Sequence, residues 1–400
     1  MQGQGRSYHV KKRGLVTMRR FLCALAATVI LAAAFPVRVQ AVELPIHSEA
    51  AILMEKETGQ ILYAKNEHEQ LQPASVTKVM TLLLTMEAID SGALHSDDMV
   101  TASDYASSMG GSQIFLAPGE QMSVEDLLKG VCVASGNDAS VALAEHQAGV
   151  TELFVTKMNN RAKELGMNDT NFVNCNGLPA EGHVTSAYDI ALMSRELILH
   201  HPDIRRFTTI WMDTLRDGKS ELSNTNKLIR FYDGATGLKT GSTSSAGYCI
   251  SATAERDGME LIAVTLKADT SSDRFEDAKT LLNYGFSTYA LADAGEGVTL
   301  DAVPVELGTA DTVQPVLSSQ GRRILIRQSQ LADLERTVTM DGSVAAPVKQ
   351  GQPVGQVTVT SGEEVLTTVP ILAGEDVPRL TWGQTFLRLL RRALPAPKAD

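Results

Sequence analysis

Three short stretches of this 400-residue chain carry residue types that support nucleophilic chemistry. The first is Ser75-Val76-Thr77-Lys78, the only Ser-x-x-Lys in the sequence. At a helix start, residues three apart share a face, so the Lys78 amine can reach the Ser75 hydroxyl. A serine hydroxyl is a poor nucleophile at neutral pH and needs an adjacent base. Lysine can be that base only if its ordinary pKa of about 10.4 is pulled down, by burial or by a second cation. The second stretch is Ser135-Gly136-Asn137. It offers a hydroxyl to relay a proton and an amide to hold a lysine and a substrate carbonyl; by itself it is equally an ordinary turn with a helix cap. The third is Lys239-Thr240-Gly241, followed by Ser242. Lys239 would be the cation that depresses Lys78, Thr240 and Ser242 can hold a substrate carboxylate, and Gly241 leaves room for substrate beside the strand.

The elements that must position these residues are legible from periodicity. Ala50–Met54 and Gln60–Ala64 read as two strands joined at Thr58-Gly59. Ser75–Asp90 contains no Gly or Pro and repeats apolar residues at helical spacing nearly all round, which predicts a buried central helix whose start carries Ser75 and Lys78. Val124–Ala134 and Asp138–Gln147 predict two more helices with Ser135-Gly136-Asn137 on the loop between them, and Ser186–His200 another. Tyr248–Ala254 and Met259–Lys267 alternate like strands around an Arg256-Asp257-Gly258 hairpin signal, and the Lys239 stretch just before them reads as an edge strand facing a cleft. Phe275–Tyr284 closes this region as a helix. Residues 298–377 change character, rich in Val, Thr, Leu and turn residues, with Val357–Thr360 and Val365–Leu372 as strands. The expected fold class is therefore α+β: an antiparallel sheet flanked by helices over 42–286, a smaller mostly β domain over 298–377, and a terminal helix over 381–394.

Composition narrows the function classes. A net charge of −11, from 36 basic and 47 acidic residues, argues against a dedicated nucleic-acid binder. The first 41 residues hold seven of those basic residues and no acidic one. Met18-Arg19-Arg20, an apolar run from Phe21 to Phe35, and Ala41 as a small residue before a cut form the pattern of an export signal; an uncleaved anchor is the alternative, and Met18 is a candidate start. Cys132, Cys175 and Cys249 remain after Cys23, an odd number that allows at most one bridge. The His and Cys residues show no metal-ligand spacing, so neither a metal nor a cofactor is expected. In residues 381–394, Trp382, Phe386, Leu387, Leu389, Leu390, Ala393 and Leu394 share one helical arc, with Arg388, Arg391 and Arg392 opposite. Such a helix is too short to cross a bilayer and suits a membrane surface, or else packs on the protein's own body.

The order Ser-x-x-Lys, Ser-x-Asn, Lys-Thr-Gly resembles the penicillin-recognising serine enzymes. Gly110-Gly111-Ser112-Gln113-Ile114-Phe115-Leu116, Ser135-Gly136-Asn137-Asp138-Ala139, Asn176-Gly177-Leu178-Pro179 and Gly237-Leu238-Lys239-Thr240-Gly241-Ser242-Thr243 are similar to the low-molecular-weight D-alanyl-D-alanine carboxypeptidases. The resemblance covers about residues 45–286, and the β domain with its terminal helix resembles that family's layout. It implies that Ser75 attacks the carbonyl between two terminal D-alanines of a peptidoglycan stem peptide and that Lys78 takes its proton. Ser135 and Lys239 would help carry the proton to the leaving D-alanine. Backbone N–H groups of Ser75 and Ser242 would form the oxyanion hole, and β-lactams would acylate Ser75. It also implies an exported protein on the outer face of the cytoplasmic membrane. Some members carry an Arg upstream of Lys-Thr-Gly; here Asn224-Thr225-Asn226-Lys227 stands there. Two rivals share the motifs: a β-lactamase, for which Glu164 would have to activate a deacylating water, and a non-catalytic peptidoglycan-binding protein. A Ser-His-Asp hydrolase lacks support, since no Ser has the Gly-x-Ser-x-Gly form.

Overall fold

The structure, a computed structural model, describes residues 43–393. The segment read as an export signal, with Cys23, lies outside the described residues, as does the chain beyond 393.

Period-two patterning builds the central sheet. In Ala50–Glu55 (β1), Ala50, Ile52 and Met54 join one core while Ala51 and Leu53 join another, and the whole strand is buried. A strand apolar on both sides needs a cover on each face. Ile61–Lys65 (β2), Ala235–Thr243 (β3), Gly247–Arg256 (β4) and Met259–Ala268 (β5) complete an antiparallel sheet in the order β2-β1-β5-β4-β3. The β4–β5 turn places Asp257 and Gly258 at φ 50° and 74°, the left-handed pair that a tight two-residue hairpin requires. β3, carrying Lys239, is an edge strand, as its position in the sequence suggested.

The helices around this sheet are Lys78–Asp90 (α1), Val124–Cys132 (α2), Asn137–Ala148 (α3), Thr151–Glu164 (α4), Ala187–His200 (α5) and Ser271–Thr288 (α6). α6 covers one face, setting Phe275, Ala278, Leu281 and Leu282 in a core with Ala51, Leu53, Ile250 and Leu261. It begins four residues earlier than periodicity predicts because the Thr270 hydroxyl caps it, accepting Asp273 N–H at 3.1 Å. α5 and α1 lie on the other face, in the larger core. α1 is buried nearly all round, as its pattern predicts, but it starts at Lys78 rather than Ser75. Ala74–Thr77 is a 3₁₀ turn instead, entered through Ala74 at φ 48°, a backbone conformation that no α-helix accepts. α4 was not among the helices expected from periodicity; it buries Phe154, Met158 and Ala162, a sparse i, i+4, i+8 stripe in a polar segment.

Beyond α6 the chain is strand and turn. A four-stranded antiparallel sheet runs in the order Pro315–Leu317, Glu364–Ala373, Pro353–Ser361, Leu334–Met340, wider than the two strands expected there. Val303, Val313, Val354, Val357, Val359, Val369 and Ile371 form its own core. The chain then enters helix Trp382–Ala393 (α7). Arg388 donates to the Gly308 carbonyl at 2.9 Å and pairs with Asp311, which ties the basic side to the β-rich segment. The apolar side is left open: Trp382 is 94 % exposed, and Phe386, Leu387, Leu389 and Leu390 are exposed with it. No helix among the described residues is long and apolar enough to cross a membrane.

Candidate active site

Ser75 sits on a tight turn with both flanks fixed. Its predecessor Ala74 holds a left-handed backbone, and Ser135 across the site does so too, at φ 63°. Non-glycine residues in that region are strained by roughly 1–3 kcal/mol, and such strain persists only where the surroundings enforce it. Here Gly177 enforces it. A Cβ on Gly177 would lie 1.9 Å from the Ala74 carbonyl oxygen, so only glycine lets the 174–178 loop press on the turn. Gly241 does the same from the sheet: its Cβ would meet Pro73 O and Ser75 N at 2.8 Å and Val76 N at 2.9 Å. The missing side chain at Gly241 therefore makes room for the nucleophile's own turn.

Lys78 is fully buried, and its Nζ touches three oxygens: Ser75 Oγ at 2.9 Å, Asn137 Oδ1 at 2.6 Å and the Asn176 carbonyl at 2.6 Å. Among the described residues no carboxylate pairs with it. Burial first, and the Lys239 cation second, hold its pKa well below the ordinary lysine value. A neutral amine has two N–H donors and one lone pair. In a neutral Lys78 the two carbonyl oxygens would take the donors and leave the lone pair for the Ser75 hydroxyl.

Lys239 is 1 % exposed and donates to the Thr240 carbonyl at 2.9 Å. Burial first, and the Arg274 guanidinium to a smaller extent, bring its pKa down to about 7. Arg274, itself buried, donates to the Gly241 carbonyl at 3.0 Å. The Thr240 hydroxyl donates to Thr225 Oγ1 at 2.7 Å, while Ser242 next to it is exposed. Asn224 and Asn226 carry no charge into the site. They are buried braces, Asn224 donating to the Ile210 carbonyl at 2.7 Å and Asn226 to the Gly237 carbonyl at 2.8 Å.

The loop between α2 and α3 brings Ser135 and Asn137 to the same place, both nearly buried. Asn137 donates to the Gly110 carbonyl at 2.6 Å, which leaves one amide hydrogen free. Among the described residues, no hydrogen bond ties the Ser135 hydroxyl to either lysine. Asp138 orders the loop opposite, accepting Ile114 N–H and Leu116 N–H at 3.1 and 3.0 Å.

Sequence reasoning missed Asn176 as a contact of Lys78, because the atom involved is a backbone carbonyl and no side-chain type announces it. The Asn174-Cys175-Asn176-Gly177 cluster of turn formers was the available signal. The three cysteines are free, and none is bridged. Burial pushes Cys132 up to about 12 and Cys175 to about 11, although Lys239 and Lys78 respectively pull the other way. Glu164 ends α4 in an ion pair with Arg161, its side chain 65 % exposed. No group of His, Cys, Asp or Glu among the described residues is arranged to hold a metal ion.

With this geometry in place, comparison with known proteins gives one answer. Residues 37–270 match the D-alanyl-D-alanine carboxypeptidase family, and residues 286–379 match the C-terminal domain of penicillin-binding protein 5. The chain belongs to the D-alanyl-D-alanine carboxypeptidase family. It is 42 % identical over 357 residues to D-alanyl-D-alanine carboxypeptidase DacF of Bacillus subtilis, covering 88 % of this chain and 90 % of that protein. Penicillin-binding protein 5 of Haemophilus influenzae superposes with a TM-score of 0.72 at 30 % identity, over 84 % of this chain and 99 % of that one. Penicillin-binding protein D2 of Listeria monocytogenes, solved in a cefotaxime-bound form, covers 61 % of this chain and 99 % of its own at 35 % identity and a TM-score of 0.57.

Proposed function

We propose that this protein removes the terminal D-alanine from peptidoglycan stem peptides through an acyl-enzyme on Ser75, and that β-lactams acylate the same hydroxyl. The observation that carries this is the buried Lys78 amine, with no carboxylate partner among the described residues, 2.9 Å from Ser75 Oγ and held by the Asn137 and Asn176 carbonyl oxygens. Ser75 Oγ attacks the carbonyl between the two D-alanines, and its proton passes to Lys78 Nζ. The oxyanion takes backbone N–H groups of Ser75 and Ser242, donors worth roughly 3 kcal/mol each. The C–N bond then breaks, and the proton reaches the departing amine by way of Lys78 and Ser135. Water enters, gives a proton back through the same route, and releases the shortened peptide. Asn137 offers its free amide hydrogen to the substrate carbonyl on the other side of the scissile bond. Thr240, Ser242 and the cationic Lys239 face the terminal carboxylate. Gly241 serves by letting β3 press on the turn. The direct test is to incubate the protein with a peptide ending in Lys-D-Ala-D-Ala: free D-alanine and a peptide shorter by one residue are expected, and a peptide recovered intact rejects the reading.

The same proposal divides the chain into an export signal at 1–41, the enzyme at 42–286, a β domain at 298–377 and a membrane-surface helix at 381–394. It places the enzyme on the outer face of the cytoplasmic membrane. Support for the helix comes from its open apolar side and its Arg388 tether to the body of the protein. Trp and Phe on one side and arginine on the other suit an anionic lipid interface. Deleting residues 381–400 is expected to move the protein from the membrane fraction to the soluble fraction; retention on the membrane would place the anchor elsewhere.

A further inference from the structure

Beneath the Ser75 turn runs a chain of hydrogen bonds that starts far away in sequence. Val173 N–H donates to His183 Nδ1 at 2.9 Å. That nitrogen is therefore the unprotonated one, and the ring proton sits on Nε2. Nε2 lies 2.8 Å from Thr77 Oγ1, so it donates there, and the Thr77 hydroxyl in turn donates to the Ala74 carbonyl at 2.8 Å. Each atom has one available role, and the chain runs in one direction to the peptide unit that precedes Ser75. His183 is 3 % exposed, and burial alone brings its pKa down to about 4, so the ring is neutral at pH 7. The Ala74 carbonyl is thus gripped from two sides, by the Thr77 hydroxyl and by the α-carbon of Gly177.

We infer that His183 is a positioning residue for the nucleophile: through Thr77 it fixes the orientation of the Ala74–Ser75 peptide unit, and with it the aim of the Ser75 hydroxyl and N–H. The inference rests on the reading of Ser75 as nucleophile. A purely structural His183 would instead matter for its other bond, to Val173, which holds the 171–185 loop. Near-attack geometry is steep enough that a displacement of about 1 Å costs around a hundredfold in rate.

Two substitutions separate these roles, because each keeps a different half of the ring. In His183→Gln the side-chain amide reaches the place of Nε2 and can still donate to Thr77, while the Val173 bond is lost. In His183→Asn the shorter side chain keeps an acceptor for Val173 and loses Thr77. The measurements are the rate constant for acylation by penicillin, the constant for its preceding reversible binding, and the thermal midpoint. We expect His183→Gln to acylate within about threefold of the unsubstituted protein, and His183→Asn and Thr77→Val to acylate roughly 10- to 100-fold more slowly with reversible binding unchanged. The double variant Thr77→Val/His183→Asn is expected to be no slower than either single one, since both cut the same chain. Equal rates for the Asn and Gln variants, or a double variant whose losses multiply, would overturn the inference. Should either His183 variant fail to fold, Thr77→Ser against Thr77→Val decides: retention of the rate in Ser and loss in Val supports it, and equal rates reject it. If the unsubstituted protein takes no penicillin on Ser75, the functional reading itself has failed; if it does and the variants do not separate, only the role of His183 has.

Discussion

A Ser75→Ala protein is expected to take up no penicillin covalently and to release D-alanine at least about 10⁴-fold more slowly than the unsubstituted protein. Losing the nucleophile of a serine hydrolase removes the whole covalent route, so little beyond binding and oxyanion stabilisation remains. The fold should tolerate the change well. Among the described residues the Ser75 hydroxyl hydrogen-bonds only with Lys78 Nζ and is half-buried, and the turn is held through Ala74, Thr77, Gly177 and Gly241 instead. Intact-protein mass spectrometry after penicillin treatment reads the result directly. A shift that persists in Ser75→Ala, or that maps to another residue in the unsubstituted protein, would show that the acyl group is carried elsewhere.

Lys239→Met is expected to move the acid limb of the acylation rate to higher pH and to cost on the order of 100-fold at neutral pH. The sign follows from the charges. Lys78 must be neutral to accept the serine proton, and the Lys239 cation is the second cause, after burial, of its lowered pKa. Taking that cation away makes Lys78 easier to protonate, so its pKa rises and more of the enzyme is inactive at a given pH. Burial remains, so the pKa stays under the ordinary lysine value. Lys239 gives up its own proton near pH 7, and the two proteins should therefore differ most below that value. A pH–rate profile of the same shape and position in both would mean that Lys239 does not tune Lys78.

The three motifs and most of the core elements were legible in the sequence for a definite reason. Ser75 to Lys78 is a local spacing, β1 is a short apolar run ended by a turn signal, β5 follows a hairpin signal, and α1 is apolar all round; each is a property of a few consecutive residues. What escaped reading is what long-range backbone approach decides. The Asn176 carbonyl on Lys78 comes from 98 residues away, and the His183 ring on Thr77 from 106. The close approach of the Lys-Thr-Gly glycine to the 73–76 turn could not be read, because that turn belongs to a segment more than 160 residues earlier in the chain. Even the helix start was misplaced by one turn, since the left-handed Ala74 is imposed from outside by Gly177 and leaves no mark on the residue itself.

The cysteines give the site a chemical selectivity that its serine alone would not guarantee. Cys132 and Cys175 lie within electrostatic reach of the two lysines, and an ionised thiol there would outcompete any hydroxyl for an electrophile. Burial keeps both sulfurs protonated and sealed from the cleft, so an activated carbonyl entering it meets oxygen and not sulfur. In the proposed reaction the acyl bond is then an ester rather than a thioester.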